Sequence, residues 1–475
     1  MHPRLCAHTI TLNGQPLRYN STTGFLPIRN STTGETEATI FYVAYTKADL
    51  APGEKRPLLF AFNGGPGSAS LWVHIGAMGP RRVKLLEDGS LPPPPYQMED
   101  NEATWLDKAD LVFIDPVGTG YSRPAKPELG QKFWSVLGDL DSVGEFIRLY
   151  ISRNQRWDSP IFVGGESYGT TRTAGLSAWL LDRGIALNGV ILMSSVLNFQ
   201  TLNFGPGNDL PYPLYLPTYT AAAWYHHKLP ASEKSLPALI AEAEKWATNE
   251  YPSILAKGDS LTPQEREQAL THLVRYTGLD KHYLDHANLR VSLFDFSTEL
   301  LRDRQRTLGR YDSRLKGTNE SGIATFPDYD ASYAAIAPPF ITLFNQYVRA
   351  DLGYQTDSPY YVMTEGLTAP WYWGPGGRNA TNLTNSLRTA MVQNPYMKVF
   401  VAAGHYDLAT PFFEARYTLD HLNLEPAIRR NLTFAEYEAG HMMYIDTASR
   451  HKLKADIAAW FDAALPSTSI ARKSL

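Results

Sequence analysis

Ser167 lies in the stretch VGGESYGTTR (residues 163–172), with a glycine two places before it, a glycine two places after it and a glutamate directly against it. A serine hydroxyl is a weak nucleophile until a base removes its proton, and the base in turn needs an acid to orient it. Gly165-Glu166-Ser167-Tyr168-Gly169 fits G-x-S-x-G, in which small flanking residues let the backbone turn sharply from strand to helix and leave the hydroxyl exposed. The context supplies both arms, an apolar run immediately before and a helical pattern immediately after. Alone, the five residues are a weak pattern that would also suit a glycine-rich turn with a passive capping serine, so the assignment rests on context and partners.

Such an elbow expects its partners in the chain order Ser, Asp, His. The segments AAGHYDLATP and EAGHMMYID place Asp407 and His441 just past strand C-termini, where α/β sheets gather their ligands. His405 and Asp446 are the nearby competitors. His405 would put the base before the acid, and Asp446 lies beyond the expected turn. His226 and His227 read as opening a helical stretch, and His282 with His286 has i, i+4 spacing in HYLDH without the glutamate of a zincin helix, so no metal site is expected. A tetrahedral intermediate also needs two backbone donors. FNGGPGSAS (62–70) directly follows a buried strand, and Gly65 and Tyr168 are the N–H groups it would bring together.

These residues need a sheet to hold them. The first fifty residues alternate apolar and polar, as in ATIFYVAYT (38–46), and read as an antiparallel edge. RPLLFAFNGG (56–65), ADLVFIDPVG (109–118), SPIFVGGES (159–167) and GVILMSS (189–195) are near-continuously apolar, as fully buried parallel strands are. Helical patterns at 136–154 and 173–184 separate the later ones. From 201 to 387 the chain turns Pro- and Tyr-rich and then helical, with Thr262, Pro263 and Glu265 forming a helix start. Strand patterns resume at 396–404 and 432–440, and 452–465 reads as a closing amphipathic helix. The organisation is thus a core in two parts, 1–200 and 388–475, around an inserted, mostly helical cap at 201–387.

At 475 residues the chain exceeds the roughly 250–300 at which single cores stop growing, which fits a core with an insertion. A hydrophobic content of 43% with 19% charged residues allows a large core. A net charge of −4 without a basic run argues against nucleic acid or an anionic membrane as partner. Cys6, the one cysteine, excludes a disulfide framework and cysteine-based metal sites. Asn-x-Ser/Thr triplets at Asn20, Asn30, Asn319, Asn379, Asn382 and Asn431 are uninformative by themselves. No apolar run is long enough for a membrane span, and the N-terminus lacks the pattern of a signal peptide. The compartment is not readable: periplasm or exterior if an export signal was trimmed, otherwise cytoplasm. The oligomeric state is not readable.

NGGPGSAS, ADLVFIDPVGTGYS, GGESYG, AGHYDLATP and AGHMMYID, in this order over residues 63–446, resemble the hallmarks of the serine carboxypeptidases. NGGPG together with GESYG is the specific combination, while the cap has no clear counterpart. The resemblance implies an α/β-hydrolase fold with a mostly parallel central sheet flanked by helices, a triad of Ser167, Asp407 and His441, and an oxyanion hole of Gly65 and Tyr168. It implies further that Asn63, the Gly64 N–H and Glu166 bind the terminal carboxylate of a peptide, with no cofactor. A carboxyl can hydrogen-bond a carboxylate only if one of them holds a proton, so Glu166 needs a raised pKa. The competing reading of Glu166 is a buried acid capping the elbow helix.

Two departures bear on this. Members commonly carry a second glutamate just before the GP of GAMGP, where this chain has Ala77, and Ser68 stands where a cysteine is usual. The proton-sharing carboxyl pair is therefore not expected, and the absence of disulfides resembles the bacterial branch. Arg81 and Arg82 could reach an anionic group or form a solvated face. The expected activity is release of C-terminal residues from peptides through an acyl-enzyme. The rivals are an esterase or acyltransferase on the same scaffold, and a non-catalytic binding protein, which would need a broken triad.

Overall fold

The computed structural model describes residues 3–51, 53–230 and 235–465. Three long strands, β1 (Arg4–Leu12), β2 (Gln15–Arg29) and β3 (Thr36–Lys47), pair antiparallel at one side of the sheet. The alternation of buried and wet positions along β2 is what one solvated face produces. β4 (Leu58–Phe62), β5 (Asp110–Ile114), β6 (Ile161–Glu166) and β7 (Gly189–Met193) are buried at every residue. With β8 (Lys398–Gly404) and β9 (Leu432–Tyr437) they complete the order β1-β2-β3-β5-β4-β6-β7-β8-β9, antiparallel from β1 to β5 and parallel from there on. The expected α/β-hydrolase architecture, a mostly parallel sheet between helices, is what the chain adopts.

Successive strand residues point to opposite faces, and each face has its own helices. Phe60 and Val163 meet Leu140 and Phe146 of α1 (Val136–Arg153) and Leu176 of α2 (Tyr168–Leu181). Between β7 and β8 come α3 (Pro211–Tyr225), α4 (Leu236–Asn249) and α5 (Pro263–Thr277), which bury Tyr219, Trp246 and Leu273 in a cluster of their own. The expected start of α5 is a capping box of Thr262 and Glu265 around Pro263. The same insertion contains α6 (Ala331–Ala350), which turns Phe340 into the main core against Trp72, ring to ring at 5.3 Å. The opposite face of the sheet is closed by α7 (Thr447–Ala464), whose Phe461 ring packs 4.8 Å from Phe162.

Three local expectations are corrected. His226 and His227 end α3 instead of opening a helix, because the Pro- and Tyr-rich run ahead of them is itself helical. Pro211 sits at the first helical position, where no N–H is needed, and burial along nearly the whole helix holds it together despite Pro217 inside it. Helix α2 begins at Tyr168 and not at 173, since the turn ahead of it consumes a single residue, Ser167. The closing helix begins at Thr447, five residues ahead of the expected 452, because Asp446 caps it with a hydrogen bond from Ser449 N–H to Oδ1 at 2.8 Å.

Candidate active site

The elbow is built at the C-terminal end of β6. Ser167 has φ 60° and ψ −130°, a strained conformation for a residue with a side chain, costing about 1–3 kcal/mol that the surroundings must hold in place. Its N–H donates to Met193 O on β7 at 3.0 Å, and its carbonyl accepts from Thr170 N–H at 2.8 Å. Gly165 is required by its contact with the helix that follows, because a Cβ there would stand 2.2 Å from Gly169 O. The glycine loop expected to hold the oxyanion comes equally close. A Cβ on Gly64 would lie 2.4 Å from the Tyr168 nitrogen, so the loop backbone lies directly against the first N–H of α2. That N–H has no carbonyl within its own helix to bond. Gly65, next in the loop, has φ +100°, in the left-handed region.

His441 follows β9 and Asp407 follows β8. The parallel pairing of those strands, Gly404 opposite Tyr437, brings the two loops to one edge. His441 Nδ1 lies 2.7 Å from Asp407 Oδ2, and both side chains are buried. Asp407 Oδ1 accepts from Ala409 and Thr410 N–H at 2.8 and 3.0 Å, and Oδ2 accepts from the Thr410 hydroxyl at 2.8 Å. Burial alone would lower the His441 pKa, but the adjoining Asp407 carboxylate outweighs it and holds the imidazole above its ordinary value. With Nδ1 occupied, Nε2 is left for the cavity of about 90 Å³ that His441 and Ser167 line together. Among the described residues no hydrogen bond engages the Ser167 hydroxyl; such bonds commonly tighten only when substrate binds. Of the competitors, His405 turns to Glu436 at 2.9 Å and Asp446 to Arg314 at 3.2 Å.

Asn63, Gly64 and Glu166 line the same cavity. Asn63 Nδ2 donates to Glu166 Oε1 at 2.9 Å, while its Oδ1 accepts from Val73 N–H at 3.0 Å. Glu166 is 3% exposed and its Oε2 has no hydrogen-bond partner. Burial pushes its pKa up to about 7, against the opposing pull of His441. Facing it is the buried Tyr444 hydroxyl, which forms no hydrogen bond of good geometry but stands near enough to draw the Glu166 pKa down against burial. Ala77 lies in the apolar core, so no second carboxyl shares the Glu166 proton from that position. Arg81 and Arg82 point elsewhere, to Asp100 at 2.8 Å and to Glu99 and Glu102 at 2.6 and 2.8 Å.

Several positioning residues escaped sequence reasoning. Arg172, 1% exposed on α2, donates to the Asn63 carbonyl at 2.7 Å and to Asp139 at 2.8 Å, tying the oxyanion loop to two helices. A lone arginine in the otherwise uncharged GTTRTAGLSAWLL was the available signal. Asp115, in the VFIDPVGTGYS stretch, accepts from Ser70 N–H at 2.9 Å and so anchors the far end of that loop. The Ser194 hydroxyl donates to the His441 carbonyl at 2.5 Å, a link for which the sequence carries no signal. The aromatic PWYWGPGG packs on the elbow itself, with Trp371 and Trp373 at 5.5 and 5.7 Å from the Tyr168 ring.

Comparison with known proteins gives four matches. A family model described as serine carboxypeptidase matches residues 12–445. The pheromone-processing carboxypeptidase KEX1 of Saccharomyces cerevisiae is 32% identical over 158 residues, which are 30% of this chain and 20% of that protein. Serine carboxypeptidase-like 17 of Arabidopsis thaliana is 30% identical over 156 residues, 32% and 33% of the two chains. This chain thus spans about a fifth to a third of the length of these curated relatives. Among solved structures, the prohormone-processing carboxypeptidase Kex1(delta)p from Saccharomyces cerevisiae superposes with a TM-score of 0.57 at 18% identity, over 93% of this chain and 91% of that one.

Proposed function

The chain belongs to the serine carboxypeptidase family, and from that premise we propose that it releases C-terminal residues from peptides through an acyl-enzyme on Ser167. The Ser167 hydroxyl attacks the carbonyl of the last peptide bond as His441 Nε2 takes its proton. Asp407, on the other ring nitrogen, fixes the tautomer and stabilises the imidazolium. The N–H groups of Gly65 and Tyr168 receive the developing oxyanion, His441 returns the proton to the leaving amine, and water repeats the sequence on the acyl-enzyme.

The observation that carries a carboxypeptidase over an esterase is the buried Glu166 oxygen without a partner, one residue from the nucleophile and beside the Asn63 amide. A protonated Glu166 can donate to the terminal carboxylate of a peptide, with the Asn63 amide and the Gly64 N–H beside it. The test is hydrolysis of a blocked dipeptide against that of its C-terminal amide. A large preference for the free acid is expected, and equal rates would favour the esterase or acyltransferase reading.

The two titrating groups give the reaction opposite limbs. Neutral His441 is needed for attack, so kcat/KM rises with pH through a pKa above that of ordinary imidazole. Glu166 must hold its proton, so peptide binding weakens as pH rises through about 7. Peptides should therefore show a bell, and amides or esters lacking a terminal carboxylate only the rising limb. Glu166→Gln should keep peptidase activity at neutral pH while removing the falling limb, because an amide donates at every pH. Equal loss of peptide and ester turnover at all pH values in that variant would end the anchoring role.

A further inference from the structure

Beyond the cavity at Ser167 lies a second, larger one of about 580 Å³, and Arg310 lines both. Arg378 lines the larger one as well, its guanidinium over the Phe199 and Trp373 rings at 5.4 and 5.8 Å. That position fixes Arg378 to the aromatic group packed on Tyr168, and so to the elbow. Arg310 lies over the Tyr311 ring at 5.3 Å. The two cations are close enough that Arg310 depresses the pKa of Arg378, after burial.

Among the described residues neither guanidinium has an ion pair or a hydrogen bond. Elsewhere in the chain, Arg82, Arg172, Arg290 and Arg314 each meet a carboxylate within 3 Å. The acids nearest this cavity are already engaged. Asp295, which lines the cavity, accepts from Ser292 in a capping box, and Glu414 accepts from Thr201 and Thr418 through Oε1 while burial of its unpartnered Oε2 side pushes its pKa up to about 7, toward the neutral acid. Asp330 accepts from the main-chain N–H of Arg310 and caps α6, and Asp407 holds His441. Two unpaired like charges at one wall are costly to keep together, and an anionic ligand between them would offset that cost.

The direction of a bound peptide follows from the smaller cavity. Asn63 and Glu166 lie there with Ser167, and neither lines the larger one, so a chain anchored by its terminal carboxylate passes Ser167 and continues toward Arg310. We infer that the larger cavity is the subsite for an acidic residue on the N-terminal side of the cleaved bond, its carboxylate recognised by Arg310 and Arg378 between aromatic walls that include Tyr215 and Phe326. This rests on the peptidase reading above and narrows its substrates.

The test is kcat/KM for blocked peptides with a constant C-terminal leucine and Glu, Gln, Leu or Lys before it. Glu is expected to exceed Gln by about 10- to 100-fold, the worth of hydrogen bonds to a charged group, with Lys the poorest and the margin shrinking in high salt. In Arg310→Gln, Arg378→Gln and the pair together, the Glu-to-Gln ratio should fall toward one, chiefly through KM. Equal rates for Glu and Gln with C-terminal release intact would overturn the inference, as would a preference that survives R310Q/R378Q. In the reverse series, with leucine constant before the cleaved bond and Glu or Gln at the C-terminus, a preference for Glu found only there would overturn the acyl-side assignment. If no peptide loses its C-terminal residue, the peptidase reading fails instead, and esters of N-acyl-Glu and N-acyl-Gln still read this cavity: a Glu preference supports it and equality ends it.

Discussion

A protein carrying Ser167→Ala should hydrolyse blocked dipeptides about a millionfold more slowly than the unaltered chain, and adding His441→Ala should slow it hardly further. The reason is that attack is one event. The serine oxygen bonds to the carbonyl only as its proton passes to Nε2, so either loss removes the whole step. The Asp407 variant should behave differently. Asp407→Asn leaves serine and imidazole in place but replaces the acceptor 2.7 Å from His441 Nδ1 with a group that favours the wrong tautomer, a loss of about ten-thousandfold. What remains in each case is binding and the backbone donors proposed at Gly65 and Tyr168. Rates measured by release of the C-terminal residue would check the series, together with labelling by a fluorophosphonate, which should modify Ser167 in the unaltered protein and nothing in Ser167→Ala. Retention of activity within tenfold in Ser167→Ala, or strictly additive losses in the double variant, would mean that Ser167 is not the nucleophile. An unaltered protein that does not label would return the non-catalytic reading.

What could be read before the fold was known is what sequence neighbours determine. Ser167 announces itself because the strand, the turn and the helix that expose it are consecutive. The loop at Gly64 and Gly65 is legible for the same reason, as a glycine run at the end of an apolar strand. Asp407 and His441 were within reach because parallel strands end at a common edge, so residues just past two strand ends become neighbours although 34 positions separate them. The positioning residues have no such local grammar. Arg172 meets Asn63 across 109 positions, and Ser194 meets the His441 carbonyl across 247. Arg310 and Arg378 share a cavity wall although 68 positions separate them. The helix at Pro211–Tyr225 was hidden for another reason. Its prolines argue for a break, and what overrides them is burial against α4 and α5, which local propensity does not contain.

Arg172→Met should destabilise the protein by about 3–5 kcal/mol at neutral pH, the usual consequence of removing one partner from a buried ion pair. Both side chains of the pair with Asp139 are at most 2% exposed, so the orphaned carboxylate has no water to turn to. Burial already raises the Asp139 pKa, against the pull of Arg172, and without the guanidinium it should rise further. A folded-state pKa above the unfolded one means that folding takes up a proton. The native state is then favoured at low pH and loses stability as pH climbs through the interval between the two values. The deficit of Arg172→Met should therefore be smaller at pH 5 than at pH 7.5, and Asp139→Leu added to it should recover most of the stability, since an apolar pair leaves no charge stranded. Urea midpoints at the two pH values would measure this, and a variant as stable as the unaltered protein at pH 7.5 would contradict it. Activity should fall as well, and the double variant should not restore it. The Asn63 carbonyl loses its donor in both proteins, and a shift of about 1 Å in the loop that carries the Gly64 and Gly65 N–H groups is enough for a loss near a hundredfold. Stability recovered while turnover stays low would separate what Arg172 does for Asp139 from what it does for the oxyanion loop.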